Sequence, residues 1–315
     1  MSAYKEWRID MKKIKAHWCY FDNFGDAINP YLLSKLSGLR VCYRNYKNPN
    51  YLQEFKRIIH SFINRKKYDF NRLRPYNANE QVLLCIGSIL SRCRKNFIIW
   101  GAGFMNNDEK TIECGKICAI RGNFSARKLG LNIKNADVAI GDPAILLPLV
   151  YKPQIKKKYK IGIIPHIRDY KYAKKKYCNY HIINIATSDI ESVINEILEC
   201  EIIFSSSLHG TIVSHAYGIP ALWIKLGDIN TDGIKFQDYF DSVGIDEYDS
   251  NMLNIDGIID VNYEEYPEEM KKSMLPTCDL TILQKNLLLT APFLLREKYK
   301  HWIYNLYIKD FILTL

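Results

Sequence analysis

The feature that most constrains this chain is an alternation of short apolar runs with helix-like segments. The apolar runs cover residues 14–20, 82–86, 97–100, 116–120, 136–140, 161–164, 181–185, 200–204 and 221–224. Most of them end at glycine or at polar residues, as strands do when they enter a loop. Strands that alternate with helices favour parallel βαβ layers. We therefore predict an α/β fold built on parallel sheets.

The alternation stops around Lys152 and Pro153 and starts again after a basic run at residues 156–160. A chain of 315 residues is long for one domain and sufficient for two. We predict two Rossmann-like domains that face a cleft. Residues 1–152 form the N-terminal domain, and residues 153–315 form the C-terminal domain with a helical tail.

Three serines, a histidine and a glycine lie where the run 200–204 meets the predicted helix Thr211–Tyr217. In open α/β sheets, ligands bind at this kind of strand-to-helix junction. The start of a helix offers unpaired backbone N–H groups that suit an anion. His209 is the one side chain in this segment that can exchange a proton near neutral pH. The segment predicts an anion site with a proton donor.

Other polar residues follow the predicted strands, and parallel strands bring such residues to one edge of a sheet. Arg121 suits a phosphate or carboxylate, and on residue type alone it equally suits a structural salt bridge. His166 is a candidate ligand or an ordinary loop histidine. Lys235 is a candidate for neutralising an anion or an ordinary surface lysine. These alternatives stay open at this point.

Three further segments carry predictions about packing. Residues 21–30 resemble a polar loop, so we expect a helix to start at Tyr31. Tyr51–Ile63 has apolar residues at helical spacing and a basic opposite face, which predicts a surface helix packed on the first sheet. The tail, residues 282–315, mixes aromatic and basic residues. It forms either helices that pack back on the domains or an amphipathic surface that contacts a membrane.

The net charge of +10 favours an anionic partner, or it reflects only a lysine-rich surface. The nine cysteines show no zinc-like spacing, and their use suits a reducing cytosol. No run reaches the roughly 18 apolar residues of a membrane-spanning helix. Walker, GxGxxG, HExxH and GxSxG motifs are absent from the sequence, which disfavours the common classes that use them. What is left is metal-free anion chemistry in a cleft.

Short motifs in a fixed order make the chain similar to the polysaccharide pyruvyl transferases. They span about residues 22 to 239 and comprise Asn23–Asp26, Gly87-Ser88, Trp100–Gly103, Arg121-Gly122 with Ser125, Gly141–Ala144, Gly162–His166, Ser205–Gly210, Gly218–Pro220 and Lys235–Tyr239. The resemblance implies a two-domain architecture similar to GT-B glycosyltransferases, with the acceptor on the N-terminal side and the donor on the C-terminal side. One departure is Ser207, because many members of the family carry arginine at that position.

The resemblance also implies the reaction, which is metal-independent transfer of the pyruvyl group of phosphoenolpyruvate to a sugar as a cyclic ketal. No cofactor is expected. The acceptor is a glycan or a lipid-linked saccharide of a bacterial surface or capsular polysaccharide, and no nucleic acid is expected to bind. The protein is expected in the cytoplasm or at the inner face of the membrane. By the same resemblance, the catalytic residues are His209, Arg121 and Lys235. The residues expected to bind substrate are Asn23, Gly25, Asp26, Gly87, Ser88, Asp142, His166, Ser205, Ser206, Ser207, Leu208 and Gly210.

Phosphoenolpyruvate carries a phosphate and a carboxylate, and its methylene carbon must be protonated before a hydroxyl attacks. We hypothesise that protonated His209 is this acid. Arg121 and Lys235 would hold the anion, and Asp26 or Asp142 would activate the acceptor hydroxyl. Two alternatives are a GT-B-type glycosyltransferase that uses a nucleotide sugar and a basic, non-catalytic protein that binds nucleic acid or an anionic surface.

Overall fold

Two parallel sheets form the framework of the molecule. The computed structural model describes residues 12–19, 22–65, 67–110, 113–132, 137–227, 231–250, 253 and 255–313. The strands in these ranges are β1 Lys13–His17, β2 Arg40–Tyr43, β3 Val82–Leu84, β4 Phe97–Trp100, β5 Ile117–Ile120, β6 Ala139–Ile140, β7 Tyr159–Ile164, β8 His181–Ile182, β9 Cys200–Ser205 and β10 Ala221–Trp223. Every pair of neighbouring strands runs parallel. The predicted α/β fold with parallel sheets is confirmed.

The first sheet has the strand order β2-β1-β3-β4-β5-β6, and the second has the order β10-β9-β7-β8. The strand predicted over residues 181–185 is shorter than expected and ends at Ile182. Tyr20 and Ala136, at the ends of two predicted strands, lie outside the described residues. The domain boundary at residue 152 and the GT-B-like arrangement stay predictions.

The helices follow or cover the strands. They are α1 Phe24–Ser37, α2 Tyr51–Ile63, α3 Asn123–Lys128, α4 Leu147–Val150, α5 Tyr170–Lys176, α6 Ile190–Leu198, α7 Leu208–Ala216, α8 Ile234–Val243, α9 Ile255–Ile258, α10 Glu268–Lys272, α11 Leu280–Leu289 and α12 Glu297–Leu313.

The loop expected over residues 21–30 is wrong, because α1 begins at Phe24. The Asn23 side chain caps the helix by accepting a hydrogen bond from the Gly25 N–H. Pro30 lies inside α1 and cannot donate to the carbonyl of Asp26. The Asn29 side-chain amide donates to that carbonyl instead, at 3.2 Å. A neighbouring side chain thus satisfies the carbonyl that proline leaves without its helical donor.

Helix α2 has the predicted bounds, but its predicted packing is wrong. Its apolar side chains, including Phe55, Phe62 and Ile63, are exposed rather than packed on the sheet. Glu54 is the buried residue of this helix. Apolar spacing identifies the residues that share a helix face, whereas the rest of the fold decides whether anything covers that face.

One large apolar core includes residues of both sheets, among them Ile14 of β1 and Ile203 of β9. The C-terminal residues also reach the first sheet, since the Trp100 indole N–H donates to the Leu287 carbonyl of α11 at 3.0 Å. Of the two interpretations of the tail, packing against the body therefore holds for α11. Among the described residues, no helix is long and apolar enough to cross a bilayer.

Candidate functional site

His209 lies in the first turn of α7, directly after the end of β9. The helix begins three residues earlier than the predicted Thr211, because Ser207 caps it. The Ser207 hydroxyl oxygen accepts a hydrogen bond from the Gly210 N–H at 3.3 Å. This cap fixes the backbone of His209 and directs its ring towards the first half of the chain.

Gly25 of α1 lies against the His209 ring. A Cβ atom at residue 25 would stand 2.3 Å from His209 Nδ1 and 2.8 Å from Cγ of the ring. Real Cβ contacts are never this short, so only glycine allows this approach. Helix α1 from the first half of the chain therefore forms one wall around the imidazole.

Asp142, which like Gly25 belongs to the first half of the chain, also faces His209. Its Oδ1 atom accepts a hydrogen bond from the Ala144 N–H at 2.9 Å and so caps the 3₁₀ turn Pro143–Leu146. Its Oδ2 atom lies 3.8 Å from His209 Nε2. Both of these atoms are buried without a hydrogen-bond partner among the described residues. Buried polar atoms are rarely unpaired, so this pair is a candidate site for chemistry.

The surroundings shift the pKa values of the two groups in opposite directions. Burial raises the pKa of the Asp142 carboxyl to about 6, although Arg121 and the Ala144 hydrogen bond oppose the rise. Burial, together with the charges of Arg121 and Lys235, lowers the pKa of His209 to about 3. The imidazole is therefore neutral near neutral pH, which differs from the protonated His209 of the sequence hypothesis. A bound anion would offset the two cations and raise this pKa.

Arg121 is fully buried and forms an ion pair with Asp238 of α8, with Nε 3.0 Å from Oδ2. Its Nη1 donates to the Ser88 hydroxyl oxygen at 2.7 Å, and its Nη2 donates to the Phe104 carbonyl at 2.6 Å. The salt bridge that residue type left open is thus present. Arg121 still acts on the site through its positive charge, because that charge lowers the pKa of His209.

Lys235, also on α8, is 7% exposed. Burial lowers the pKa of its amine to about 8, and Arg121 adds to this effect. Burial and the charge of Lys235 lower the pKa of His166 to about 4. The positive charge of Lys235 thus lowers the pKa of both His166 and His209. The structure brings together His209 and Asp142, which were predicted from distant segments, with Nε2 3.8 Å from Oδ2.

The three serines have backbone partners. Ser205 Oγ donates to the Ser207 carbonyl and accepts from the Ser207 N–H. Ser206 Oγ accepts from the His166 N–H at 2.8 Å. Because Ser206 and Ser207 use their oxygens as acceptors, their hydroxyl protons can still donate to a ligand.

Several predicted residues serve the neighbouring structure rather than the His209 pair. Leu208 lies in the core, and Gly87 has a φ of 129°. Asp26 accepts a hydrogen bond from the Cys19 N–H at 3.1 Å. Burial raises the pKa of Asp26 to about 7, so this carboxyl can also exchange a proton near neutral pH.

Asp238 is the main site residue that the sequence analysis missed. Besides Arg121, it accepts hydrogen bonds from the Ser125 hydroxyl at 2.6 Å and from the Ser125 N–H at 2.9 Å. The available signal was its position three residues after Lys235, which puts both side chains on one face of a helix. Asp238 joins the two halves of the chain at the site.

The model of the family described as polysaccharide pyruvyl transferase matches residues 23–227. The chain belongs to this family. Membership implies a transferase with a polysaccharide or glycan partner. His209, Asp142 and Arg121 lie inside the matched region, whereas Lys235 and Asp238 lie beyond it.

The chain is 29% identical to the uncharacterized protein L143 of Acanthamoeba polyphaga mimivirus over 247 residues. The alignment covers 75% of this chain and 76% of the viral protein. No solved structure matches this chain. In the part of the chain that the structure describes, no cluster of three His, Cys, Asp or Glu residues could hold a metal ion.

Proposed function

We propose that the protein transfers the pyruvyl group of phosphoenolpyruvate to two hydroxyls of one sugar, forming a cyclic ketal and releasing phosphate. The observation that carries this proposal is the pair of buried, unpartnered atoms His209 Nε2 and Asp142 Oδ2, 3.8 Å apart. Two cations, Arg121 and Lys235, act on the same pair. A proton-transfer pair beside positive charge matches a reaction that begins by protonating an anionic enol ester.

In the first step, the acid protonates the methylene carbon of phosphoenolpyruvate, which becomes a methyl group next to a cationic carbon. His209 gives this proton, since the donor's negative charge raises the imidazole pKa on binding. Asp142, once ionised, stabilises the imidazolium across the 3.8 Å gap. A first sugar hydroxyl then attacks the cationic carbon and loses its proton to the pair.

In the second step, the phosphate leaves with the electrons of its C–O bond and regenerates a cationic carbon. A second hydroxyl of the sugar attacks that carbon and closes the ketal, and its proton leaves through the same pair. One of the two hydroxyl protons replaces the proton that His209 gave, and the other leaves with the phosphate. The products are the pyruvylated sugar and inorganic phosphate. No oxidant or reductant is needed.

Lys235 is the proposed ligand of the donor's phosphate. Its amine is almost fully buried, and no hydrogen bond to it is found among the described residues, whereas Arg121 already pairs with Asp238. The N–H groups at the start of α7 and the hydroxyl protons of Ser206 and Ser207 add donors for the anion. This arrangement supplies an anion site although Ser207 stands where many family members carry arginine.

The acceptor is proposed to enter from the N-terminal half of the chain. A cleft of about 800 Å³ lies between α1, α2 and the segment Ala186–Ser188, and it is lined by Trp18 among others. Aromatic and polar side chains together suit a sugar. Transfer without a metal and without a cofactor is part of the proposal.

The test is to incubate the purified protein with phosphoenolpyruvate and candidate glycans, and to follow phosphate release and acceptor mass. His209→Gln should reduce turnover by about 10²- to 10⁴-fold while the fold is kept. His301→Gln is the matched control, because His301 is exposed on α12 and should leave turnover unchanged. Near-normal turnover in His209→Gln would refute the assignment.

The same assay distinguishes the proposed pyruvyl transfer from the main alternative, which is a glycosyltransferase. A glycosyltransferase would consume a nucleotide sugar with the acceptor and would be stabilised against heat by that donor. Consumption of a nucleotide sugar, with no phosphate released from phosphoenolpyruvate, would replace the proposal with that activity.

A further inference from the structure

Helix α2 carries an apolar face that the described residues leave uncovered. Phe55 is 60% exposed, Phe62 is 86% exposed and Ile63 is 71% exposed. Leu52 and Ile59, which are also exposed, lie on the same side of the helix at spacings of three, four and seven residues. The helix therefore presents a continuous apolar stripe, here called the α2 face and defined as Leu52, Phe55, Ile59, Phe62 and Ile63.

The fold holds α2 in place without using this face. Glu54 is buried and receives two hydrogen bonds from Arg72, Nε to Oε2 at 2.8 Å and Nη2 to Oε1 at 3.0 Å. The Tyr68 hydroxyl donates to Glu54 Oε2 at 2.6 Å. Burial alone would raise the pKa of Glu54, but these hydrogen bonds lower it to about 2. These hydrogen bonds of Glu54 fix the orientation of α2, and the α2 face stays exposed.

The exposed charged residues of α2 and of the segment directly after it are basic. Lys56, Arg65 and Lys67 are exposed, and residues 51–67 contain one acidic residue, the buried Glu54. Aromatic and aliphatic side chains beside lysine and arginine are typical of helices that lie in the surface of an anionic bilayer. Such a bilayer accommodates both features, since its acyl chains take the apolar face and its headgroups pair with the basic side chains.

We propose that α2 is a docking helix for a membrane that contains anionic lipid. The helix lies in the plane of the bilayer surface with the α2 face in the acyl region, and the basic side chains lie among the headgroups. This assigns membrane contact to α2 rather than to the C-terminal tail.

Docking through α2 places the cleft beside the bilayer. Arg57, His60 and Ser61 of α2 line the cleft of about 800 Å³. If the proposed function holds, this position suits a sugar carried on a lipid, because the lipid can stay in the bilayer while the sugar enters the cleft. This consequence rests on the proposed function, whereas the docking itself does not.

The test is flotation of the full chain with vesicles made of equal parts of phosphatidylcholine and phosphatidylglycerol, against vesicles of phosphatidylcholine alone. The protein should bind the anionic vesicles, and binding should weaken with salt. Phe55→Ser with Phe62→Ser should reduce binding by more than about tenfold, because two large apolar side chains are lost from the bilayer. Lys56→Gln and Lys67→Gln should each reduce binding by about fivefold on the anionic vesicles.

The matched control is Tyr304→Ser with Ile308→Ser on α12, where both side chains are also exposed. These changes should leave binding unchanged. All variants should keep the wild-type thermal midpoint, since the substituted side chains are exposed.

Three results would overturn the proposal. The first is an absence of binding to anionic vesicles. The second is loss of binding in the α12 control but not in the α2 variant. The third is a dimer in sedimentation velocity that Phe55→Ser with Phe62→Ser dissociates, since a second copy would then cover the α2 face.

Discussion

Gly25 allows the role of His209 to be tested without changing His209 itself. In Gly25→Ala, the new methyl group would lie 2.3 Å from His209 Nδ1, while ordinary contacts begin at 3.4 Å. Because α1 is held by its cap and by the core, the ring must move by about 1.1 Å. Misplacement of a catalytic group by about 1 Å can reduce turnover by about 10²-fold.

The effect on stability should be small by comparison. Overpacking typically costs about 1 to 3 kcal/mol, whereas alanine in place of glycine in a helix stabilises by about 0.5 to 1 kcal/mol. The free energy of unfolding should therefore fall by no more than about 2.5 kcal/mol. The variant should stay folded at assay temperature while kcat for phosphate release falls by about 10²-fold.

The decisive control is the same substitution in a His209→Ala background. Without the ring, the methyl group meets no imidazole, so Gly25→Ala should reduce turnover no further and should stabilise the helix. Phosphate release and denaturant unfolding, measured on all four proteins, give the full cycle. A Gly25→Ala enzyme with normal turnover, or an equal loss of turnover in both backgrounds, would refute the reasoning.

Two further predictions concern α8. Because the folded pKa of Lys235, about 8, lies below its ordinary value of 10.5, the charged amine destabilises the fold below pH 8. Lys235→Met should therefore raise the free energy of unfolding at pH 7 by about 1 to 3 kcal/mol and abolish turnover, and the gain should vanish as the pH rises from 8 to 10.5. A Lys235→Met protein that is less stable at pH 7 would contradict this. Asp238→Ala leaves the Arg121 charge buried and unpaired, so denaturant unfolding should show a loss of about 3 to 5 kcal/mol. Asp241→Ala, on the exposed side of the same helix, should cost less than about 1.5 kcal/mol, and equal losses would count against the ion pair.

The sequence predicted nine of the ten described strands, because each of the nine is a short run made mostly of apolar residues. It missed β2, Arg40–Tyr43, whose run of four residues is short and begins with a charged side chain. It failed at α1, where glycine and proline suggested a loop. Two contacts stabilise this helix, namely the Asn23 cap and the hydrogen bond from Asn29 to the Asp26 carbonyl. The cap is visible as a residue type, but the second contact depends on where a side chain points. Such a contact has no fixed pattern in the sequence.

The candidate site was likewise predicted only in part. Polar residues at strand ends, such as Asp142 and His209, were predicted because parallel topology brings strand ends together. The partner of Arg121 was not predicted, since Asp238 lies 117 residues further along the chain. The neutral state of His209 was also missed, because burial and the charge of Lys235 depend on the assembled structure.

The contact between Trp100 and Leu287 has a consequence for synthesis of the chain on the ribosome. Helix α11, residues 280–289, covers Trp100 of β4 and packs on the edge strand β6. The first sheet is translated early, yet the part of it that α11 covers stays open until these late residues leave the exit tunnel. The N-terminal half therefore exposes an apolar surface until the C-terminal half has been synthesised. A nascent chain stopped before residue 280 should bind a holdase chaperone through that surface, even though all strands of both sheets have already been made.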